Sequence, residues 1–292
     1  MNSKHRIAIF KAILAAAFYA ISTPMSKTLL QEIPPMMMAS MLYLGAGIGM
    51  SIMGILRSRT KKKGQELKLK KDDMPYTIAM VLLDIAAPIL LMYGLIRTTA
   101  ANVSLLNNFE IVATAIVALS VFKEKITQRL WKAIVLITLS SAILTIQDTS
   151  SFSFSLGSIF VILACICWAV ENNCTRKLSS KDPLQIVVIK GLGSGIGSLI
   201  IALAVGEKLT NYSVIPIVLL LGFVAYGLSI YFYVYAQREL GAAKTSAYYA
   251  IAPFFGVALS FIFLGETPNA LFIIALIIMI IGTYYASTTD KC

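Results

Sequence analysis

Apolar runs of about twenty residues recur along the whole chain, broken by short polar segments. Ten such runs can be marked, at about 7–28, 34–56, 76–97, 101–122, 130–147, 156–177, 184–205, 213–236, 243–264 and 269–287. Each is close to the roughly 20 residues that a helix needs to cross about 30 Å of hydrocarbon. The connections between them are short and leave no room for a soluble domain. The pattern predicts an all-α integral membrane protein of ten transmembrane helices.

The runs also repeat. Shifted by 142 residues, 100–124 lies on 242–266 without a gap, and Ala100, Ala101, Ser104 and Glu124 fall on Ala242, Ala243, Ser246 and Glu266. Shifted by 149, the first run lies on the sixth, placing Tyr19 on Trp168, Ala20 on Ala169, Lys27 on Arg176 and Pro34 on Pro183. The charged insert RSRTKKKGQELKLKKDD after the second run accounts for the seven-residue difference. A repeat containing five spans must sit upside down in the bilayer relative to its partner. The expected halves are therefore 1–147 and 148–292, two inverted five-helix repeats. Secondary transporters use this construction, with the substrate site at the interface between repeats.

Composition narrows the class further. Apolar residues make up 58% of the chain, charged residues 13%, and the mean hydropathy is +0.81. One soluble core cannot hide that much apolar surface. The cations set an orientation. With the N-terminus inside, 22 of the 25 Lys and Arg residues lie on the cytoplasmic side, and only Lys27, Arg97 and Lys208 lie outside. The positive-inside rule predicts both termini in the cytoplasm, in a plasma-membrane protein. The net charge of +11 then needs no nucleic-acid partner: RTKKKGQELKLKK reads as a topology determinant that touches anionic lipid. Lys4-His5-Arg6 ahead of an apolar run imitates a signal peptide. The run is longer than a signal core and pairs with the sixth span, so it reads as a retained helix.

Several apparent motifs carry little chemistry. Cys165 and Cys167 are two apart, on roughly opposite sides of a helix, and cannot share a metal. The single histidine, His5, lies in the N-terminal tail, so no zinc site or His-based triad can form within the membrane. No metal, nucleotide loop or other cofactor is expected, and ATP is not the driving force. Gly191, Gly193, Gly195 and Gly197 sit inside an apolar span, where no strand–turn–helix unit is possible. Glycines four apart, such as Gly193 and Gly197, predict close packing of the seventh span against the second, which carries Gly45, Gly47 and Gly49.

The ten spans, the two halves and certain local motifs together resemble the EamA-type family of the drug/metabolite transporter superfamily. An aromatic-Ala stretch opens each half (FYAISTPMSK and WAVENNCTRK). An Ala/Ser-rich block precedes an acidic residue at the end of the fourth span of each half (AANVSLLNNFE…FKEK and GAAKTSAYYAIAPFF…FLGE). The resemblance covers nearly the whole chain and implies a transporter of small metabolites, with export as its suggested direction. It is nearly silent about substrate. Proline is common in the family where this chain has Glu110 and Ile111, whereas the second half keeps Pro253 after Ala252.

Polar residues at membrane depth are the candidates for function, because burying them is costly unless they are paired or wetted. Ser104, Asn107, Glu110 and Thr114 form a stripe at helical spacing on the fourth span, and the ninth places Ser246, Tyr249 and Ala252 at the matching positions. Asp84 and Pro88 lie on the third span, and Tyr226, Ser229 and Tyr233 on the eighth, with Asp84 and Tyr226 equivalent by the repeat. The resembling fold would line a central cavity with these helices, together with Tyr19 and Ser22 of the first span and Trp168 and Glu171 of the sixth. Glu171 and Lys190 are expected to pair with each other, and Glu124 and Glu266 to act as caps or surface pairs. Asp84 and Glu110 have no basic residue at matching depth. Unpaired acids there must take up a proton or bind a cation. The expected activity is secondary transport of a small amphipathic solute such as an amino acid or amine, with protons as a candidate coupling ion. A membrane-embedded enzyme or a scaffold is the alternative. The enzyme lacks any visible nucleophile–base set.

Overall fold

A computed structural model describes residues 3–60, 67–122, 126–148, 153–178, 180–240, 245 and 248–287. The described residues are almost entirely helical, joined by one short antiparallel strand pair, Ile146–Asp148 with Ser153–Phe154. The helices are α1 Ser3–Ala20, α2 Ser22–Leu29, α3 Pro35–Thr60, α4 Met74–Leu95, α5 Ala100–Leu106, α6 Phe109–Phe122 and α7 Gln128–Thr145. They continue with α8 Leu156–Leu178, α9 Pro183–Val205, α10 Ile215–Gly222, α11 Ser229–Leu240, α12 Ala252–Leu264 and α13 Ala270–Ser287.

Eight of the ten expected spans are long and apolar enough to cross a membrane: His5–Leu29, Pro35–Arg57, Lys71–Leu95, Ala100–Val117, Leu156–Leu178, Pro183–Val205, Tyr212–Ala236 and Ala270–Ser287. The remaining two fall short for different reasons. α7 has the length but opens on Gln128, Arg129 and Lys132, which dilute its apolar character. The ninth span is apolar but contributes only the shorter helix Ala252–Leu264 among the described residues.

Helix partners follow a rule. α3 packs along α9, α5 on α12 and α7 along α13, while α4 lies along α8 and α1 along α11. Exchanging the two sequence halves maps each of the first three pairs onto itself and swaps the last two. The closest approach is that of α3 and α9. A Cβ placed on Gly191 would lie 2.4 Å from the Gly47 nitrogen, and one on Gly195 would lie 2.7 Å from the Leu44 nitrogen. Bare backbone faces bare backbone, and van der Waals contact at this range has no room for a methyl group. The glycine expectation is met by different members of the motif. Gly193 and Gly197 turn away from α3 and meet the side chains of Val81 and Ile85 on α4.

Three spans are interrupted at depth. The first breaks at Ile21, between α1 and α2, where Pro24 lacks the N–H that would reach back to Ala20. The fourth breaks at Asn107–Asn108, with tight turns such as Ile111 N–H to the Asn108 carbonyl at 3.0 Å. The ninth turns at Ala250–Ile251, one position beyond its repeat counterpart, ahead of Pro253. The first half therefore breaks at two consecutive asparagines, with no proline there. The eighth span stays continuous but widens into a π-helical turn over Phe223–Leu228, a feature frequently found at functional sites.

Cross-half contacts tie both ends of the bundle. On the face away from the N-terminus, Glu266 accepts from the backbone N–H groups of Ala100 and Ala101 at 2.7 and 2.8 Å, capping α5. Glu207 does the same for Met36 and Met37 at the start of α3, at 3.2 and 2.9 Å. Carboxylates complement exposed amides and the positive dipole end at helix N-termini. Within the first half, Lys27 donates to the carbonyls of Leu95 and Thr98, where α4 ends. On the other face Arg57 pairs with Asp182 at 3.3 Å and Lys181 with Asp73 at 2.9 Å. Glu266 is thus a cap, as expected, but on a helix of the other half. Glu124 lies outside the described residues.

Candidate functional site

At the centre of the bundle, α4, α8 and α9 bring three charges together. Lys190 of α9 reaches Glu171 of α8 at 3.0 Å and Asp84 of α4 at 3.1 Å. Asp84 is 0% exposed, Glu171 1% and Lys190 6%, so bulk water contributes almost nothing to stabilising them. The Tyr43 hydroxyl of α3 donates to the Asp84 Oδ1 at 3.0 Å, and Thr175 donates to Glu171. Asp84 is also the residue whose backbone carbonyl loses its helical partner, because Pro88 one turn later has no N–H.

This geometry corrects one expectation and extends another. Asp84 does have a basic partner at matching depth, since the four-carbon stem of Lys190 carries its ammonium across from α9. The expected Glu171–Lys190 pair is present, but as part of a three-member cluster. Two carboxylates share one ammonium, leaving a formal excess of one negative charge. Glu110, at the first turn of α6, lies beside this cluster and accepts a hydrogen bond from Asn172 at 2.5 Å.

A second group is aromatic. Tyr19 packs against Tyr226 and Tyr249 with ring centroids 5.9 Å away in each case. Tyr249 packs on Tyr233 at 5.0 Å, and Ser22 donates to the Tyr226 hydroxyl at 3.3 Å. Tyr43 joins the two groups, with its hydroxyl on Asp84 and its ring 5.2 Å from that of Tyr226.

The two groups are counterparts in the repeat. The offset of 142 places Asp84 on Tyr226 and Asn107 on Tyr249, and the offset of 149 places Tyr19 on Trp168 and Ser22 on Glu171. One half-site is therefore Trp168, Glu171, Asp84 and Asn107. The other is Tyr19, Ser22, Tyr226 and Tyr249. Lys190 bridges the acids of the first, whereas Ser22 and Tyr226 of the second meet directly. Two of the four positions are thus acidic on one side, Asp84 and Glu171, where the other has Tyr226 and Ser22.

The fourth-span stripe does not survive as a single face, because the helix breaks at Asn107. Ser104 lies on α5 against α12, so close that a Cβ on Gly256 would be 2.6 Å from its oxygen, while Glu110 lies on α6 against α8. The Ser104 hydroxyl is buried there without a hydrogen-bond partner among the described residues. Asn107 lies at the break, where its carbonyl and that of Leu106 lie 3.9 and 3.7 Å from the Cys165 sulfur. Tyr43 and Asn172 went unrecognised in the sequence. A lone tyrosine in an apolar span carries no signal of its own, and Asn172 was overshadowed by Glu171. Ser246 lies outside the described residues.

The description "EamA-like transporter family" matches residues 6–146 and again residues 155–288. The chain belongs to the EamA-like transporter family. It is a multi-pass membrane transporter, and its family is one of transporters. An "Uncharacterized transporter" of Methanothermobacter thermautotrophicus is 28% identical over 288 residues, spanning 93% of this chain and 83% of that protein. The "Uncharacterized transporter YyaM" of Bacillus subtilis is 24% identical over 253 residues, 82% of this chain and 81% of its own. A crystal structure at 14% identity superposes with a TM-score of 0.67 over 98% of this chain and 97% of the other. At that identity the likeness concerns the fold.

Proposed function

We propose that the protein carries a small amphipathic solute with a cationic group, such as an amino acid or amine, across the plasma membrane by alternating access. The observation that carries this reading is the pairing of an acidic half-site with an aromatic one. Carboxylates suit an ammonium group, and tyrosine faces suit an apolar body and add cation–π attraction. Asp84 and Glu171 would meet the charge, and Tyr19, Tyr226 and Tyr249 the body. Glu110, next to the cluster, is a second acid for a cation or a coupling proton.

The architecture behind this reading is ten spans in two inverted halves, 1–147 and 148–292, with both termini cytoplasmic. The exchange-invariant helix pairing and the charge asymmetry of the loops support it. Such a frame lets one half change its packing against the other around a fixed central site. The cross-half caps on one face and ion pairs on the other are the contacts that would alternately break. Export is the direction the family resemblance suggests.

Proteoliposome flux with a panel of amino acids, amines and nucleosides tests the reading. Saturable uptake of ammonium-bearing amphipathic members is expected, with neutral nucleosides excluded. No flux with any member, together with detectable catalysis, would point to the enzyme instead. Cysteine labelling tests the orientation: positions in 60–70 should react from the cytoplasmic side and positions in 148–155 from the outside.

A further inference from the structure

Lys190 has a chemistry that the transport reading does not use. Its ammonium occupies the place that the reading assigns to a cationic ligand. It lies 3.0 Å from Glu171 and 3.1 Å from Asp84, at 6% exposure. We propose that Lys190 is a tethered stand-in for the transported cation: its ammonium fills the seat between Asp84 and Glu171 and leaves when a ligand's primary ammonium enters. The inference rests on the reading above and adds the exchange step to it.

Three observations carry it. The first is the quality of the contacts. The Lys190 nitrogen lies 3.1 Å from Asp84 Oδ2 and 3.0 Å from Glu171 Oε1, so one ammonium spans both carboxylates. It is shared between two near-equal contacts, the arrangement in which a second primary ammonium can replace it. The second is the charge balance. Two carboxylates face one ammonium, so an incoming cation is attracted before Lys190 has left. The third is the repeat. The position equivalent to Lys190 at the 149 offset is Met41, an unbranched chain without charge. At that crossing Ser22 and Tyr226 close on each other directly at 3.3 Å. A bridging cation is thus not a requirement of the crossing itself. A lysine stem has enough rotatable bonds to withdraw without movement of its helix.

Binding of hexylammonium to the purified protein tests this, with hexanol as the uncharged control. The chain has two tryptophans, and Trp131 is 48% exposed on the outer surface. On a Trp131→Phe background, Trp168 alone reports the site by fluorescence. Lys190→Met empties the seat. Lys190→Met with Glu171→Gln also empties it while keeping the original formal charge, and this second variant covers the case in which the first fails to fold. A competitor held inside the site lowers apparent affinity by the fraction of time it is displaced. Lys190→Met should therefore bind hexylammonium at least about tenfold more tightly than the Lys190 protein, and the double variant, which keeps only the Asp84 carboxylate, should still bind it more tightly than the Lys190 protein. Hexanol binding should be the same in all three, and Lys190→Arg should keep the weak binding.

Hexylammonium binding that is unchanged, weaker or undetectable in the monodisperse variants overturns the proposal. So does a parallel gain for hexanol. Flux separates the two ideas. Transport of ammonium solutes by the Lys190 protein without tighter binding in the variants defeats the stand-in and leaves the transport reading. Tighter binding without flux of any cationic solute defeats the transport reading and leaves the seat.

Discussion

Neutralising Asp84 and Glu171 together should be far more damaging than the two single changes suggest. In the protein as it stands, Lys190 has two counter-charges, both buried. Asp84→Asn removes one charge contact, worth about 1.5–3 kcal/mol for a hydrogen bond or close contact to a charged group. It also removes the excess negative charge, which offsets part of that loss, and leaves Lys190 paired with Glu171. A net destabilisation of about 1–2 kcal/mol is expected, and the same holds for Glu171→Gln with Asp84 as the surviving partner. The double variant is different in kind. Its ammonium, at 6% exposure, would lose both carboxylates in contact with it, and a buried charge without a contacting partner costs about 3–5 kcal/mol. Unfolding titrations in mixed micelles, completed as a double-mutant cycle, measure the difference. A coupling energy of at least about 1 kcal/mol beyond additivity is expected. Adding Lys190→Met to the double variant should restore stability. Additive single effects, or no rescue by Lys190→Met, would show that the three groups do not act as one charge cluster.

Other positions give independent checks. Gly191→Ala should prevent stable assembly, because its methyl would lie 2.4 Å from the Gly47 backbone, whereas Gly193→Ala meets only Val81 side-chain atoms at 3.1 Å and should keep a normal size-exclusion profile. Glu266→Ala uncaps α5 and should lower unfolding stability by about 0.5–2 kcal/mol, with a cysteine placed at Thr98 becoming more reactive to an impermeant thiol reagent as the end of the bundle loosens. Glu110→Gln should leave the protein folded, since the amide occupies the same space next to Asn172, but should abolish flux or flatten its pH profile; a normal rate with an unchanged pH profile would make Glu110 structural.

What the chain decides by itself is what repeats along it. Spans of membrane length, the register between halves and the equivalence of Asp84 with Tyr226 or of Tyr19 with Trp168 all follow from local periodicity and a constant offset. The bilayer makes these features legible, because every backbone polar group in hydrocarbon must be satisfied within its own helix. The excess of cations in particular loops follows from the same solvent. The transport class was visible for that reason, and the central residues were visible as polar exceptions in apolar runs.

The tertiary structure decided how helices rotate and how far side chains reach. Whether Gly191 or Gly193 faces α3 depends on a rotation of about 160–200° around α9 (two residues at about 100° each), which an apolar sequence on all sides does not specify. Lys190 and Asp84 are far apart in the chain, and their meeting depends on the approach of α4 and α9 plus the length of a lysine stem. The break at Asn107–Asn108 divided a stripe that helical spacing had made continuous, sending Ser104 to α12 and Glu110 to Asn172. Tyr43 became a link between charged and aromatic groups only because α3 packs between them. Spacing along one helix is a local property, but pairing across helices is set by the packing of all of them, and the charge balance of this site belongs to that second category.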